Sequence, residues 1–149
     1  MSVATAVQPS LTVKRRLKAP PAKVFAAWTD PEKIKRWMGP GEIVAQRVTA
    51  DTRVGGRYRV EMRRPSGEAH NVSGVYREII PNEKLVFTWS WDPAPGDEPH
   101  ESLVTVLLKP DAGGTLLTLI HERLFDDESR TGHEGGWKAA LDKLENLVA

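Results

Sequence analysis

Apolar residues recur along this chain with two different periods, and the switches between them outline its elements. LTVKRRLKA (11–19) sets Leu11, Val13 and the aliphatic stem of Arg15 at steps of two, the spacing of one strand face, until Pro20-Pro21 ends the run. The period then changes. Val24, Phe25 and Trp28 fall at helical spacing behind a proline suited to a first turn. Asp30-Pro31 breaks that helix and opens a second short one carrying Ile34, Trp37 and Met38, which Gly39-Pro40-Gly41 stops.

Strand-like runs follow. EIVAQRVTAD (42–51) is the first, and GGRYRVEMRR (55–64) alternates cleanly, with Tyr58, Val60 and Met62 opposite Arg57, Arg59, Glu61 and Arg63. After a turn at 65–67, EAHNVSGVYREII (68–80) is a strand of ambiguous phase, because Val72 and Val75 disagree. KLVFTWSW (84–91) places Leu85, Phe87, Trp89 and Trp91 on one face. DPAPGDEPHE (92–101) is a turn-rich loop, and SLVTVLLK and TLLTLIHE form a hairpin across PDAGG. A final helix carries Trp137, Leu141, Leu144 and Val148 on one stripe, with Asp126, Asp127 or Ser129 available as its cap. Strand, two short helices, a meander of about six strands and a long helix define an α+β chain whose short turns imply antiparallel neighbours. Residues 1–10 are expected to form a loose tail and 11–149 one domain.

Composition narrows the partners. Lys and Arg number 21 against 20 for Asp and Glu, a net charge of +1, which argues against nucleic acid or a membrane surface held by charge. The chain has no cysteine, which removes disulfides, thiol catalysis and thiolate metal sites. MSVATAVQPS lacks the charged start and apolar run of a secretory signal, and no segment is apolar over a bilayer's thickness, so a cytoplasmic location is expected.

Taken in order, PPAKVFAAWTDPEKIKRWMGP, DTRVGGRYRV, SGVYREIIPNEKLVFTWSW, GGTLLTLIHERL and HEGGWKAALDKL resemble the bacterial single-domain members of the heat-shock-protein-90 ATPase activator family, within the START and Bet v 1-like (SRPBCC) superfamily. The likeness runs from about Leu11 to Ala149. It implies a helix-grip architecture: a curved antiparallel sheet of six to seven strands around the long C-terminal helix, with a cavity between them and the short helices near its mouth. Such folds host carriers, receptors and enzymes alike.

The final helix poses a question of its own. Gly135 and Gly136 stand directly before Trp137, with Gly132 one turn earlier, although each glycine inside a helix costs about 1 kcal/mol relative to alanine. If the helix crosses a concave sheet, small residues there serve either close backbone packing or empty volume. The tryptophans share this ambiguity between core and ligand wall: Trp89, Trp91 and Trp137 lie on faces expected to turn inward, and Trp37 lies beside the expected mouth. The candidate ligand-binding set is Trp37, Tyr58, Val60, Met62, Trp89, Trp91, Leu117, Leu119, His121, His133, Gly136 and Trp137, and Met38 would suit an adaptable wall beside Met62.

His121 follows Leu117 and Leu119 on one strand face, either as a ligand contact or acid–base group, or as a buried histidine satisfied by its neighbours. No catalytic residue is expected with His121 set aside as the one weak candidate. His133, Glu134, His121 and Glu122 could be imagined around zinc, but no close H-x-x-x-H spacing supports a metal, and neither metal nor cofactor is expected. No nucleophile elbow or phosphate loop is present.

Three functions are compatible with these residues. The favoured one is a binding protein for a small hydrophobic or aromatic molecule. The second is a chaperone-interacting module, which the resemblance suggests, although the larger activators of the family carry an additional N-terminal domain that the residues before Leu11 do not supply. The third is a hydrolase, cyclase or isomerase using His121 with Glu61 or Glu122, and here Glu61 is expected to point away from Tyr58 and Met62. Monomer and homodimer are both compatible, since an exposed strand edge permits pairing.

Overall fold

The computed structural model describes residues 8–149. Most of the expected N-terminal tail, residues 1–7, lies outside the described residues, while Pro9 is tied down by the Leu124 N–H, which donates to its carbonyl at 3.0 Å. The elements run β1 (Leu11–Leu17), α1 (Pro21–Thr29), α2 (Pro31–Trp37), β2 (Val44–Ala50), β3 (Arg57–Arg63), β4 (Val72–Ile80), β5 (Lys84–Trp91), β6 (Ser102–Asp111), β7 (Gly114–Glu122) and α3 (Asp127–Val148). All seven strands form one antiparallel sheet in the order β1-β7-β6-β5-β4-β3-β2, so the chain's first strand closes against its last and β1 and β2 are the edges.

The alternation read from the sequence decides which face is buried. In β3, Tyr58, Val60 and Met62 point into the core; in β7, Thr115, Leu117, Leu119 and His121 do so. In β5 the predicted face is inward, but Val86 and Thr88 are buried as well. Two bulges bend the sheet and change its phase. One, between Ala45 and Arg47, passes the inward role from Ala45 to Val48 and Ala50. The other, between Tyr76 and Glu78, resolves the ambiguity of β4: Val72, Gly74 and Tyr76 share the inner phase, and beyond the bulge Ile79 takes over.

Gly74 has a specific task at this bend. A Cβ there would lie 2.0 Å from the Thr88 carbonyl oxygen and 2.8 Å from the Tyr58 ring. Tyr58, paired with Gly74 in the sheet, crosses it to donate its hydroxyl proton to Thr88 O, while Thr88 Oγ1 accepts from Val75 N. An aromatic ring thus covers the space a missing side chain leaves.

Two expectations need correcting. The strand placed at 68–80 begins at Val72, with residue 69 making only an isolated bridge to Arg63. The turn placed across PDAGG is tighter: Pro110 and Asp111 remain paired with Thr115 and Gly114, and Ala112-Gly113, both at positive φ, form a two-residue hairpin loop whose twist suits the strands.

α1 and α2 form as their prolines and caps dictate. Asp30 ends the first and caps the second by accepting from Glu32 N. α3 starts at its cap Asp126, which accepts from Ser129 N at 2.8 Å. It lies across the concave face of the sheet, and Trp137, Ala140, Leu141, Leu144 and Val148 are buried there. Arg15 reaches from β1 to donate to Asp142 Oδ1 at 2.7 Å and to the Lys138 carbonyl, fixing the helix to the sheet edge. No helix of the described residues is long and apolar enough to cross a membrane.

Candidate ligand site

Between the N-terminal half of α3 and the sheet lies a cavity of about 530 Å³. Its floor is aromatic. β5 contributes Trp89 and Trp91, α3 contributes Trp137 and His133, and Met62 comes from β3. Met38, Gly39, Pro40 and Ile43, from the end of α2 and the loop after it, close one side; Gly132, Gly136 and Ala140 form the helical wall. Arg64, His70, Asp126, Glu128 and Ser129 complete the lining with polar groups of both signs.

The glycine question now has an answer. A Cβ at Gly132 or Gly135 would meet nothing within 4 Å, and one at Gly136 would touch only Pro40 at 3.7 Å, an ordinary contact. No backbone presses on any of the three. Gly132 and Gly136 border empty volume, whereas Gly135 is exposed and lies off the wall.

A directional set of hydrogen bonds holds the floor. Trp91 Nε1 donates to His133 Nε2 at 2.9 Å, which leaves His133 Nδ1 to donate to the Ser129 carbonyl at 2.7 Å. Trp137 Nε1 donates to His121 Nδ1 at 3.0 Å; His121 Nε2 then donates to Ser102 Oγ at 2.7 Å, and Ser102 passes its proton to the Trp89 carbonyl at 3.0 Å. Because an indole N–H can only donate, it fixes the tautomer of each histidine. Both rings are thereby held neutral. Burial, with the nearby His133 ring adding to it, pushes His121 down to about 3. Burial also lowers His133, against the opposing effect of the Ser129 carbonyl. His70 stacks on Trp91 with centroids 4.1 Å apart and is lowered by burial and then by the Arg64 charge.

The loop wall has its own anchor. Lys143 on α3 donates to the carbonyls of Gly39 at 2.6 Å and Ile43 at 3.1 Å. Partial burial lowers its pKa. Gly39 has φ +124°, and a Cβ there would sit 2.5 Å from the Ile43 carbonyl oxygen, so this tight loop requires glycine.

Of the twelve candidate residues, the structure brings Met62, Trp89, Trp91, His133, Gly136 and Trp137 onto the cavity wall. Tyr58 and Val60 instead border a small crevice deeper in the sheet. Trp37 is fully buried in the core, donating its Nε1 proton to the Ala27 carbonyl at 2.8 Å and meeting Trp28 edge to face. Leu117, Leu119 and His121 are likewise fully buried and are not part of the cavity wall. Glu61 pairs at long range with Arg47, away from His121. Among the described residues no group of three or more His, Asp or Glu is placed to hold a metal ion.

Sequence reasoning missed His70, Arg64, Pro40 and Ile43 as wall residues. His70 was accessible: once Val72, Gly74 and Tyr76 define the inner phase, the same step of two leads back to it. The loop residues follow no period and carried no signal.

A seven-stranded antiparallel sheet curled around a long C-terminal helix, with a cavity between them, is the helix-grip class of the START and Bet v 1-like proteins. The family described as "Activator of Hsp90 ATPase homolog 1-like protein" matches residues 18–149, and the chain belongs to it. Solved relatives agree. A protein from Chromobacterium violaceum is 32% identical, with 93% of this chain and 96% of that one aligned at a TM-score of 0.85. The AHSA1 protein from Silicibacter pomeroyi is 31% identical over 93% and 96%, at 0.83. A protein from Nitrosomonas europaea is 25% identical over 99% and 97%, at 0.78. No protein of curated function matches the chain.

Proposed function

We propose that this chain binds a small, flat, largely apolar molecule between its sheet and α3. One observation carries the reading: the cavity of about 530 Å³, floored by Trp89, Trp91 and Trp137 and kept open by Gly132 and Gly136. That volume lies in the usual range for small-molecule sites, about 300–1,000 Å³, and an apolar floor with a few polar groups at one side is the usual lining. The test is native mass spectrometry of the purified protein, followed by titration with N-phenyl-1-naphthylamine. A stoichiometric small molecule, or saturable dye binding that quenches tryptophan emission, supports the reading; an apo mass with no dye binding removes it.

A second reading rests on the family match: a module that acts on an Hsp90-type chaperone. Stimulation of a bacterial chaperone's ATPase by the purified chain is its measurement, and an unchanged rate would count against it. Acid–base catalysis by His121 has less support, because both ring nitrogens are engaged and the ring lies behind the floor.

A further inference from the structure

Of all the lysines and arginines in the described residues, Arg64 alone lines the main cavity; it follows the last residue of β3. Among the described residues its guanidinium forms no ion pair with a carboxylate. Two contacts place that charge at the site. Arg64 Nη2 donates to His70 Nδ1 at 3.3 Å, and the His70 ring lies over Trp91 with centroids 4.1 Å apart and 32° between the planes. Trp91 belongs to the floor, so the guanidinium reaches the floor's edge although the residue as a whole is exposed. A guanidinium has five N–H donors and no acceptor, and the bond to His70 uses one of them.

The lining also has two acids, Asp126 and Glu128, and neither answers this charge. Both stand at the N-terminus of α3, whose dipole favours negative groups, and Asp126 is engaged as the cap, accepting from Ser129 N at 2.8 Å. Burial, then the Arg64 charge, holds His70 below its ordinary value, with Glu68 acting in the opposite sense; Asp126 and Glu128 are not among the leading causes. The acids therefore act away from this corner. A guanidinium with free donors beside an apolar aromatic floor suits a flat molecule with one anionic end, since its planar fork matches a carboxylate through two parallel N–H bonds. A dianionic phosphate would call for a second cation, which the lining lacks.

We infer that the molecule held in this cavity is an aromatic carboxylate, its ring system on the tryptophan floor and its carboxylate on Arg64. The inference rests on the binding function proposed above and narrows it to one class of ligand.

The test compares three naphthalenes that differ in one planar group of the same shape: 2-naphthoate, 2-nitronaphthalene and 2-naphthamidinium, which are anionic, neutral and cationic near neutral pH. Calorimetry on the full chain should show 2-naphthoate binding about tenfold tighter than 2-nitronaphthalene, the worth of one charge-assisted hydrogen bond. Arg64→Gln should abolish that ratio. Arg53→Gln, which removes an equal charge from an exposed residue outside the lining, should keep it. Equal affinities for the first two compounds, or a ratio that survives Arg64→Gln, overturn the carboxylate assignment and leave the cavity reading standing. Tightest binding of 2-naphthamidinium also overturns it and gives the acids of α3 the leading part. If none of the three binds and N-phenyl-1-naphthylamine does not bind either, the cavity reading and this inference fall together.

Discussion

Along α3, a row of residues at four-residue steps winds slowly around the helix past the concave sheet: Gly132, Gly136, Ala140, Leu144 and Val148. The first three border the cavity, and the last three are buried. Side-chain size rises from Gly136 through Ala140 to Leu144, and the space between helix and sheet closes with it. The C-terminal half is an ordinary core, with Leu141 and Leu144 fully buried, as are Leu117 and Leu119 on β7. The N-terminal half instead faces the aromatic floor across the cavity. One helix on one sheet therefore yields a core or a site according to whether its residues carry side chains, and the unfilled half gives up the stability that packing would add.

The largest effect expected on this contrast comes from opening the closed half. Leu144→Ala removes a fully buried side chain and should destabilise the chain by about 3 kcal/mol in urea titrations. Naphthylamine affinity measured where the variant is still folded should stay within about twofold. A parallel loss of affinity would show that the halves are one cooperative unit.

His121 sits at the boundary between them and gives a pH test. Its folded value is about 3 against an ordinary 6.5, so between those values the unfolded chain takes up a proton that the folded chain refuses. Stability is therefore retained above about pH 6.5 and falls as pH drops toward 3. At pH 5 this group should account for about 2 kcal/mol of loss. His133 and His70, also lowered, contribute with the same sign. His121→Gln should flatten the difference between pH 7 and pH 5 by about that amount, whatever it costs at pH 7. An unchanged slope would mean that His121 is not held neutral.

How much of this was legible depends on which physical signal each feature leaves. The packed half announces itself through period: Leu141, Leu144 and Val148 on the helix and Leu117 and Leu119 on the strand repeat at spacings that burial imposes. The open half leaves only an anomaly, glycines where helix propensity is worst, and that anomaly suited close packing as well as empty space. Period also cannot tell a wall from the layer behind it. Trp37 and His121 are inward-facing by spacing, like Trp89 and Trp137, yet they are fully buried and only the latter pair lines the cavity, a difference of three-dimensional placement that spacing does not encode. The partners that fix the histidine tautomers are far apart in sequence, Trp91 with His133 and Trp137 with His121, and no local pattern pairs them.

Filling the open half should act on binding more than on folding. At Gly136 a Cβ meets only Pro40 at 3.7 Å, so a larger side chain would extend into the cavity rather than into backbone. Gly136→Leu should weaken naphthylamine binding at least about tenfold, while improved helix propensity holds stability level or raises it. Unfolding of this variant would show that the space is not available to a side chain.

The smallest effect, and the most discriminating, is at Gly132. A Cβ there meets nothing within 4 Å, the backbone is helical, and the position is exposed at the cavity's outer end. Gly132→Ala should therefore gain up to about 1 kcal/mol from helix propensity and from a less flexible unfolded chain. One methyl in a cavity of about 530 Å³ should leave naphthylamine affinity unchanged. A gain in stability with unchanged affinity would mean that Gly132 keeps the mouth wide for molecules broader than the probe, which larger aromatic compounds could then test. Weaker binding of the small probe with no clash to cause it would mean that the first turns of α3 move when the site is occupied, so that glycine there serves motion as well as space.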